Sequence, residues 1–149
     1  MSKARRGFSL IEMVVAMLIG GVLTSMVVNS YSSARGRLAV TGARTTFATL
    51  HARARAQAIE QGQNVRLLLS ESGDSVTLVT EGGTRLETVR FSTEFNVDIR
   101  AGGDYRLCMN PRGFAEESCN NFNNPVTVAF WQGTDSAAVR ILPLGQLEF

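Results

Sequence analysis

The sequence predicts an α+β fold, in which one long N-terminal helix precedes a head built from antiparallel strands. Three patterns predict it. Residues 8–28 form a run of 21 residues whose only charge is Glu12. Apolar residues then recur at spacings of three and four as far as residue 58, and from residue 64 they alternate with polar residues instead. A helix that is followed only by strands is typical of an α+β protein.

The apolar run 8–28 is long enough to cross a membrane. A helix of 21 residues spans roughly 31 Å at about 1.5 Å per residue, and the hydrocarbon of a bilayer is about as thick. A cleaved secretory signal would have a shorter apolar core. A carboxylate inside such a span is costly unless it is paired, so we interpret Glu12 as a functional residue that needs a partner. The alternative is an ordinary signal anchor with an incidental glutamate.

The N-terminus combines a basic leader, a glycine followed by an aromatic residue, and a glutamate four positions further on. The leader 1–7, the junction Gly7-Phe8-Ser9-Leu10-Ile11-Glu12 and the apolar continuation resemble the class III signal of type IV pilins and type II secretion pseudopilins. The resemblance implies that a prepilin peptidase cuts between Gly7 and Phe8 and methylates Phe8, and that Glu12 acts in assembly. It also implies a cytoplasmic leader and a periplasmic head, which the basic residues on the two sides of the run do not decide.

Four segments are therefore expected: a leader (1–7), the transmembrane half of the helix (8–28), its periplasmic half (29–62) and a β-rich head (63–149). An apolar stripe on the periplasmic half should cover a sheet, with Phe47 at its centre; the stripe comprises Ala39, Ala43, Phe47, Leu50, Ala54 and Ala58. Gly62 is the predicted C-cap. Gly20 and Gly21 either weaken the helix or allow close approach of neighbouring helices.

Basic residues lie on another face of the same helix. Arg37, Arg44 and Arg55 are predicted to be a solvated face, with a binding strip as the alternative. His51 has no cysteine or histidine partners at metal-ligand spacing, so we predict that it lies at the surface.

From residue 64 the chain is predicted to form strands. Asn64–Ser70 and Ser75–Thr80 should pair as a hairpin across a short polar turn. The other predicted strands are Arg85–Phe91, Val97–Ala101, Tyr105–Met109, Val126–Trp131, Ala137–Leu142 and Gln146–Phe149.

Three stretches of the head, residues 52–59, 109–113 and 142–147, resemble the GspH/FimT group of minor pilins and pseudopilins. Two features depart from that group: Gln146 stands where an arginine often follows the C-terminal glycine, and the asparagine-rich loop 120–124 has no counterpart. In an oxidising periplasm Cys108 and Cys119 are predicted to form a disulfide, with two unpaired thiols as the alternative.

The residues favour a building block over an enzyme. The sequence shows no phosphate loop, metal-ligand cluster or catalytic constellation, so neither a cofactor nor a metal is expected. The leading hypothesis is a minor pilin or pseudopilin of the inner membrane. The partners that the resemblance implies are prepilin peptidase, other pilins, the assembly platform and membrane lipid.

The alternative is a DNA-binding minor pilin whose candidate contacts are Arg112, Arg140 and the helix arginines. Without its leader the chain has 12 basic and 13 acidic residues, so its overall charge does not attract DNA.

Overall fold

The computed structural model describes residues 10–149, apart from the side chains of residues 26–33. The helices and strands follow one another as predicted, with a long helix first and strands after it. In chain order they are α1 (Leu10–Gln61), β1 (Val65–Ser70), β2 (Ser75–Thr80), β3 (Arg85–Arg90), α2 (Phe91–Glu94), β4 (Asp98–Arg100), β5 (Tyr105–Met109), β6 (Val126–Gln132), β7 (Asp135–Ile141) and β8 (Leu147–Glu148).

Helix α1 contains 52 residues and ends where the sequence predicts. Gly62 follows its last residue with φ +63°, the left-handed conformation that a glycine C-cap adopts at no steric cost. The chain divides after Arg35 into two compact units. The second unit, Gly36–Phe149, therefore contains the last part of α1 together with all eight strands.

The strands of the second unit form two antiparallel sheets of four strands each. The first sheet has the order β3-β2-β1-β5 and the second the order β4-β6-β7-β8. In the first sheet β1 and β2 pair from Val65 opposite Thr80 to Ser70 opposite Ser75. This pairing confirms the predicted hairpin. Asp74 closes the turn by donating its backbone N–H to the carbonyl of Glu71.

The core lies where the helix stripe meets the inner faces of the two sheets. Five residues of the predicted stripe are buried, namely Ala43, Phe47, Leu50, Ala54 and Ala58, while Ala39 is half-buried against them. The ring of Phe47 lies 5.8 Å from that of Phe130 on β6, and Phe130 lies 5.3 Å from Phe91. The stripe therefore packs on strands, as predicted, and Phe47 belongs to a cluster of aromatic rings that the sequence does not predict.

The prediction that His51 lies at the surface is wrong. His51 is 7% exposed, because it follows Leu50 and lies one helical turn beyond Phe47, on the face that packs on the head. The buried face of α1 is thus wider than the apolar stripe alone.

The predicted strand Arg85–Phe91 ends one residue early. Phe91 begins the short helix α2 instead and is fully buried. It turns inward to pack on Phe95 and Phe130, and Asn96 reverses the chain with φ +54°. Burial of the Phe91 ring therefore decides the local structure here.

Smaller differences concern the second sheet. Strand β7 begins at Asp135 and not at Ala137, because β6 and β7 pair as far as Gln132 opposite Asp135 across a tight turn. Gly133 occupies that turn with φ +59°, which a residue with a side chain rarely adopts. Strands β4 and β8 are shorter than predicted.

Candidate functional site

In the first part of α1, Leu10–Ser25, the described side chains are apolar on all sides of the helix. From Leu10 to Ala34 Glu12 is the one charged residue, and ten apolar side chains between residues 10 and 23 are 48–82% exposed. A helix that is apolar all round is normally covered by lipid or by other protein. This segment, Leu10–Ser25, is the candidate site, and we call it the apolar segment.

Glu12 lies in the first turn of α1 and its side chain is exposed. Met13, Ala16 and Met17 border a shallow depression beside it. Among the residues that the structure describes, no hydrogen-bond or ion-pair partner reaches this carboxylate. The positive end of the helix dipole favours a carboxylate in a first turn by only about 0.3–1 kcal/mol, so the helix itself offsets only a small part of the cost of covering this charge.

The polar side chains of the apolar segment are satisfied within the helix. Thr24 donates its hydroxyl to the carbonyl of Gly20 at 2.7 Å, and Ser25 donates to Val22 at 2.8 Å. The helix continues through Gly20 and Gly21, and a methyl group added at either glycine would meet nothing within 4 Å. These two positions form a flat spot that another helix could approach closely.

The two residues of the predicted cleavage site, Gly7 and Phe8, lie outside the described residues. Within the range that is described, no helix combines the length and the apolarity needed to cross a membrane.

In the head, Cys108 on β5 and Cys119 are joined by a disulfide across a Cα–Cα distance of 5.8 Å. The asparagine-rich loop follows this bond. Asn120 accepts the backbone N–H of Cys108 at 2.9 Å, and Asn121 accepts that of Arg106 at 2.7 Å. The two side chains therefore satisfy the free edge of β5, which would otherwise be open for pairing with another strand.

The comparisons with known proteins agree with this arrangement. Residues 2–28 match the prokaryotic N-terminal methylation motif. Among solved structures the chain is similar to the type IV minor pilin FimU of Pseudomonas aeruginosa strain PAO1, with 13% identity, a TM-score of 0.55 and coverage of 74% of this chain and 87% of that chain. The chain therefore has an N-terminal methylation motif and the fold of that minor pilin. Its α+β architecture is the pilin fold, although no curated protein matches it.

The arginines predicted as candidate DNA contacts lie on separate elements of the structure. Arg140 on β7 lies 3.5 Å from the carboxylate of Glu148 on β8, so a neighbour offsets its charge. Arg112 is exposed in the loop after β5, where Asn110 accepts its backbone N–H at 3.0 Å. On α1, Arg44 and Arg55 lie over the rings of Phe149 and Phe114, at 5.5 and 5.8 Å from the ring centroids.

His51 connects helix α1 to the last loop of the head. Its Nε2–H donates to the carbonyl oxygen of Gly145 at 2.9 Å. Gly145 has φ +79°, and a methyl group added there would approach the side chain of Ala115 to 2.9 Å, so the loop is close-packed. The sequence separation of 94 residues explains why no local pattern predicts this contact.

Burial lowers the pKa of His51, the hydrogen bond to Gly145 opposes that shift, and the charge of Arg55 adds to it. The neutral ring is therefore the form that the folded protein prefers. Between this lowered pKa and the ordinary value near 6.5, the unfolded chain binds more protons than the folded one. The contribution of the neutral His51 to the free energy of unfolding is therefore complete above the ordinary pKa. It is lost as the pH falls towards the lowered pKa.

Sequence reasoning also misses four arginines of the first sheet: Arg66, Arg85, Arg90 and Arg106. They lie at outward positions of β1, β3 and β5. The alternation of the strands, read together with their pairing, is the signal that could have found them.

Proposed function

We propose that this pilin-like protein is a minor pilin or pseudopilin of the GspH/FimT kind, a structural subunit of a type IV pilus or a type II secretion pseudopilus. It acts through noncovalent assembly and not as an enzyme, and it uses no cofactor. Prepilin peptidase removes the leader between Gly7 and Phe8 and methylates Phe8. Residues 8–28 then anchor the chain in the inner membrane, with the head in the periplasm, until the fibre takes it up.

One observation carries this proposal. The apolar segment exposes apolar side chains on all its faces and holds a single carboxylate that has no partner among the described residues, whereas the unit from Gly36 onward has a core of its own. The segment is thus built to be covered by lipid and afterwards by other helices. A head that folds around its own core can be carried from one environment to the other without refolding.

Glu12 supplies the specificity of this exchange. Cleavage creates a cationic amine at Phe8, and in a packed fibre the amine of one subunit can lie beside the carboxylate of the next. Such a pair is strongest where water is excluded. Removal of one partner from a buried pair typically costs about 3–5 kcal/mol, which is enough to stop a subunit from joining the fibre.

The partners that follow are prepilin peptidase, other pilins or pseudopilins, the inner-membrane assembly platform and lipid. The polar groups of the apolar segment suit an apolar surrounding, because Thr24 and Ser25 bond to their own helix. Gly20 and Gly21 offer a place where neighbouring helices can pack closely.

The test is incorporation of Glu12→Ala into the fibre, measured by cross-linking or co-purification with the other fibre subunits. Membrane insertion and leader cleavage should be normal and incorporation should be strongly reduced. Glu12→Asp should be intermediate, because its carboxylate is one methylene shorter.

Glu117→Ala is the matched control, since it removes the same carboxylate from an exposed position of the head. It should be incorporated like the wild type. Incorporation of Glu12→Ala at the wild-type level would refute the assembly role of the carboxylate.

A further inference from the structure

The two sheets of the head, all of whose strands are described, have four edge strands. They are β3 and β5 in the first sheet and β4 and β8 in the second. An edge strand presents a row of N–H and C=O groups that can pair with a strand of another protein. The four edges differ in how far the fold itself occupies these groups.

The edge of β5 is closed by the loop that follows it. Asn120 and Asn121 accept its two outward N–H groups. The carbonyl of Cys108 accepts the N–H of Glu116 at 2.9 Å, and the carbonyl of Arg106 accepts the N–H of Asn121 at 3.3 Å. The four backbone groups that Cys108 and Arg106 direct away from β1 therefore all have partners.

The edges of the second sheet are short. Strand β4 has three residues, and the carboxylate of Asp74 accepts the outward N–H of Ile99, its middle residue, at 2.7 Å. Strand β8 has only two residues. Neither edge is long enough to hold an added strand through a row of hydrogen bonds.

The edge of β3 is long and open. The strand has six residues. Two backbone hydrogen bonds flank its pairing with β2; they join the Thr80 N–H to the Thr84 carbonyl at 2.9 Å and the Phe91 N–H to the Asp74 carbonyl at 2.7 Å. Because bonded and non-bonded pairs alternate along an antiparallel ladder, Arg85, Thr88 and Arg90 direct their N–H groups away from β2. Within the described residues no hydrogen bond reaches these N–H groups, nor the outward carbonyls of Arg85 and Thr88.

A groove borders this edge on the helix side. It has a volume of about 510 Å³ and lies between α1 and the first sheet, with Ala56 on one wall and Leu78 and Leu86 on the other. Leu86, the extra residue of a bulge in the pairing with β2, is 39% exposed. Arg53 and Glu87 pair at 2.8 Å in the same groove, so their charges offset each other. An aliphatic side chain of an added strand would enter this groove.

The other side of the edge is basic. Arg85 and Arg90 occupy exposed outward positions of β3, with Thr88 between them. In the described part of the chain neither guanidinium group has a hydrogen bond or an ion pair. The side chains of a strand paired with β3 would lie about 5 Å from those of β3 on the same face. Carboxylates at these positions would neutralise both arginines.

A second copy of this chain does not fit the edge. Antiparallel pairing of two β3 strands would place Arg85 and Arg90 of one copy close to those of the other, and like charges on facing strands are destabilising. Charged side chains and bulges are the usual means by which identical edges are kept apart. The edge of β3 is thus protected against its own kind but accepts a strand of opposite charge.

We propose that β3 binds an edge strand of another protein in which carboxylates alternate with aliphatic side chains. The carboxylates lie beside Arg85 and Arg90, the aliphatic side chains enter the groove beside Leu86, and the backbone bonds to Thr88. In this mode of recognition the main-chain hydrogen bonds supply affinity and the alternate side chains supply specificity. The first sheet then gains a fifth strand. The proposal goes beyond the role of the apolar segment and does not rest on it.

The test uses the full chain in nonionic detergent and a fluorescent synthetic β-hairpin whose free edge strand reads Glu-Val-Glu-Val-Glu. A hairpin holds this strand extended beforehand, which lowers the cost of ordering it. Fluorescence anisotropy should show saturable binding. A second hairpin carries N-methyl groups on the amides that would face β3. It keeps the charge and the side chains but cannot donate the hydrogen bonds, so it should bind about tenfold more weakly or worse.

Thr88→Pro removes one N–H from the free edge and leaves the pairing with β2 in place, since proline is tolerated where the N–H of an edge strand faces solvent. It should weaken binding of the glutamate hairpin about tenfold or more. Arg85→Glu/Arg90→Glu gives a result that a folding defect cannot imitate. This variant should bind a Lys-Val-Lys-Val-Lys hairpin more tightly than the glutamate hairpin.

Arg100→Glu/Arg140→Glu is the matched control, because it makes the same change of charge on the second sheet. It should keep the preference for the glutamate hairpin. Glu12→Ala should bind this hairpin like the wild type, so that failure of the strand-addition proposal is distinguishable from failure of the assembly role.

Three results would overturn the proposal: a wild type that binds neither unmethylated hairpin, equal binding of the methylated and unmethylated glutamate hairpins, or an unchanged preference in Arg85→Glu/Arg90→Glu. A wild-type dimer in light scattering that Thr88→Pro abolishes would assign the edge to a second copy of this chain and would also overturn it.

Discussion

Replacement of Phe47 by alanine removes the ring at the centre of the core of the second unit. Phe47 is 0% exposed and its ring packs on Phe130 at 5.8 Å. Its loss leaves a cavity between the helix and the second sheet, which rigid strands cannot fill. Truncation of a buried phenylalanine typically costs about 3–5 kcal/mol. For a unit of this size that loss lowers the Tm by roughly 12–20 °C, at about 4 °C per kcal/mol.

The assay is thermal unfolding of the full chain in nonionic detergent, followed by the fluorescence of Trp131, the single tryptophan. This residue lies on β6, so its signal reports on the head and not on the apolar segment. Phe149→Ala is the matched control, because it removes the same ring from a site that is 75% exposed. Phe149→Ala should lower the free energy of unfolding by about 1 kcal/mol or less, because it removes only the contact with Arg44. A Tm of Phe47→Ala close to that of Phe149→Ala would refute the placement of the core.

Two further predictions concern the head. Acidification from about pH 7.5 to about pH 5 should destabilise the wild type more than His51→Gln, because the lowered pKa of His51 means that the unfolded chain binds the proton more tightly than the folded one. The urea midpoints of both proteins at both pH values measure the difference. Equal shifts of the midpoints in the two proteins would contradict the prediction. Cys108→Ser combined with Cys119→Ser should lower the free energy of unfolding by about 3 kcal/mol. A reductant should reproduce that loss in the wild type and leave the double variant unchanged, whereas a wild type insensitive to reductant would show that the bond contributes nothing.

The sequence predicts most of the fold because the local pattern and the tertiary packing agree along most of the chain. The spacing of Ala43, Phe47 and Leu50 identifies the centre of the buried helix face, and Gly62 marks the end of the helix because its conformation favours glycine. Strands β1, β2 and β5 are predicted with at most one residue of error, since each alternates cleanly or is bounded by turn residues.

The remaining features depend on contacts between distant residues. His51 is buried because a loop 94 residues away brings the carbonyl of Gly145 to its ring. Phe91 leaves its strand because Phe130 and Phe95 offer a place for its ring. Asn120 and Asn121 cover the edge of β5, a role that a polar loop does not reveal by its composition. In each case the partner, and not the residue itself, decides the structure.

For the candidate site, the sequence predicts the carboxylate, and the structure adds its surroundings. Glu12 is recognisable because it is the one charge in an apolar run. The structure shows that its neighbours are exposed apolar residues and that no cation reaches it from the described part of the chain. The four arginines at outward positions of the first sheet, in contrast, are recognised as neighbours only when the strand register aligns residues from three separate strands.

The most direct test of the central claim is the intact mass of the protein extracted from membranes of a cell that carries the whole assembly system. We expect a chain that begins at Phe8 and carries one added methyl group. Gly7→Val should keep the full leader, because a side chain at this position blocks entry of the backbone into the peptidase. A wild-type protein that retains residues 1–7, or a Gly7→Val protein processed to the wild-type mass, would contradict the claim that this chain is processed and assembled as a pilin.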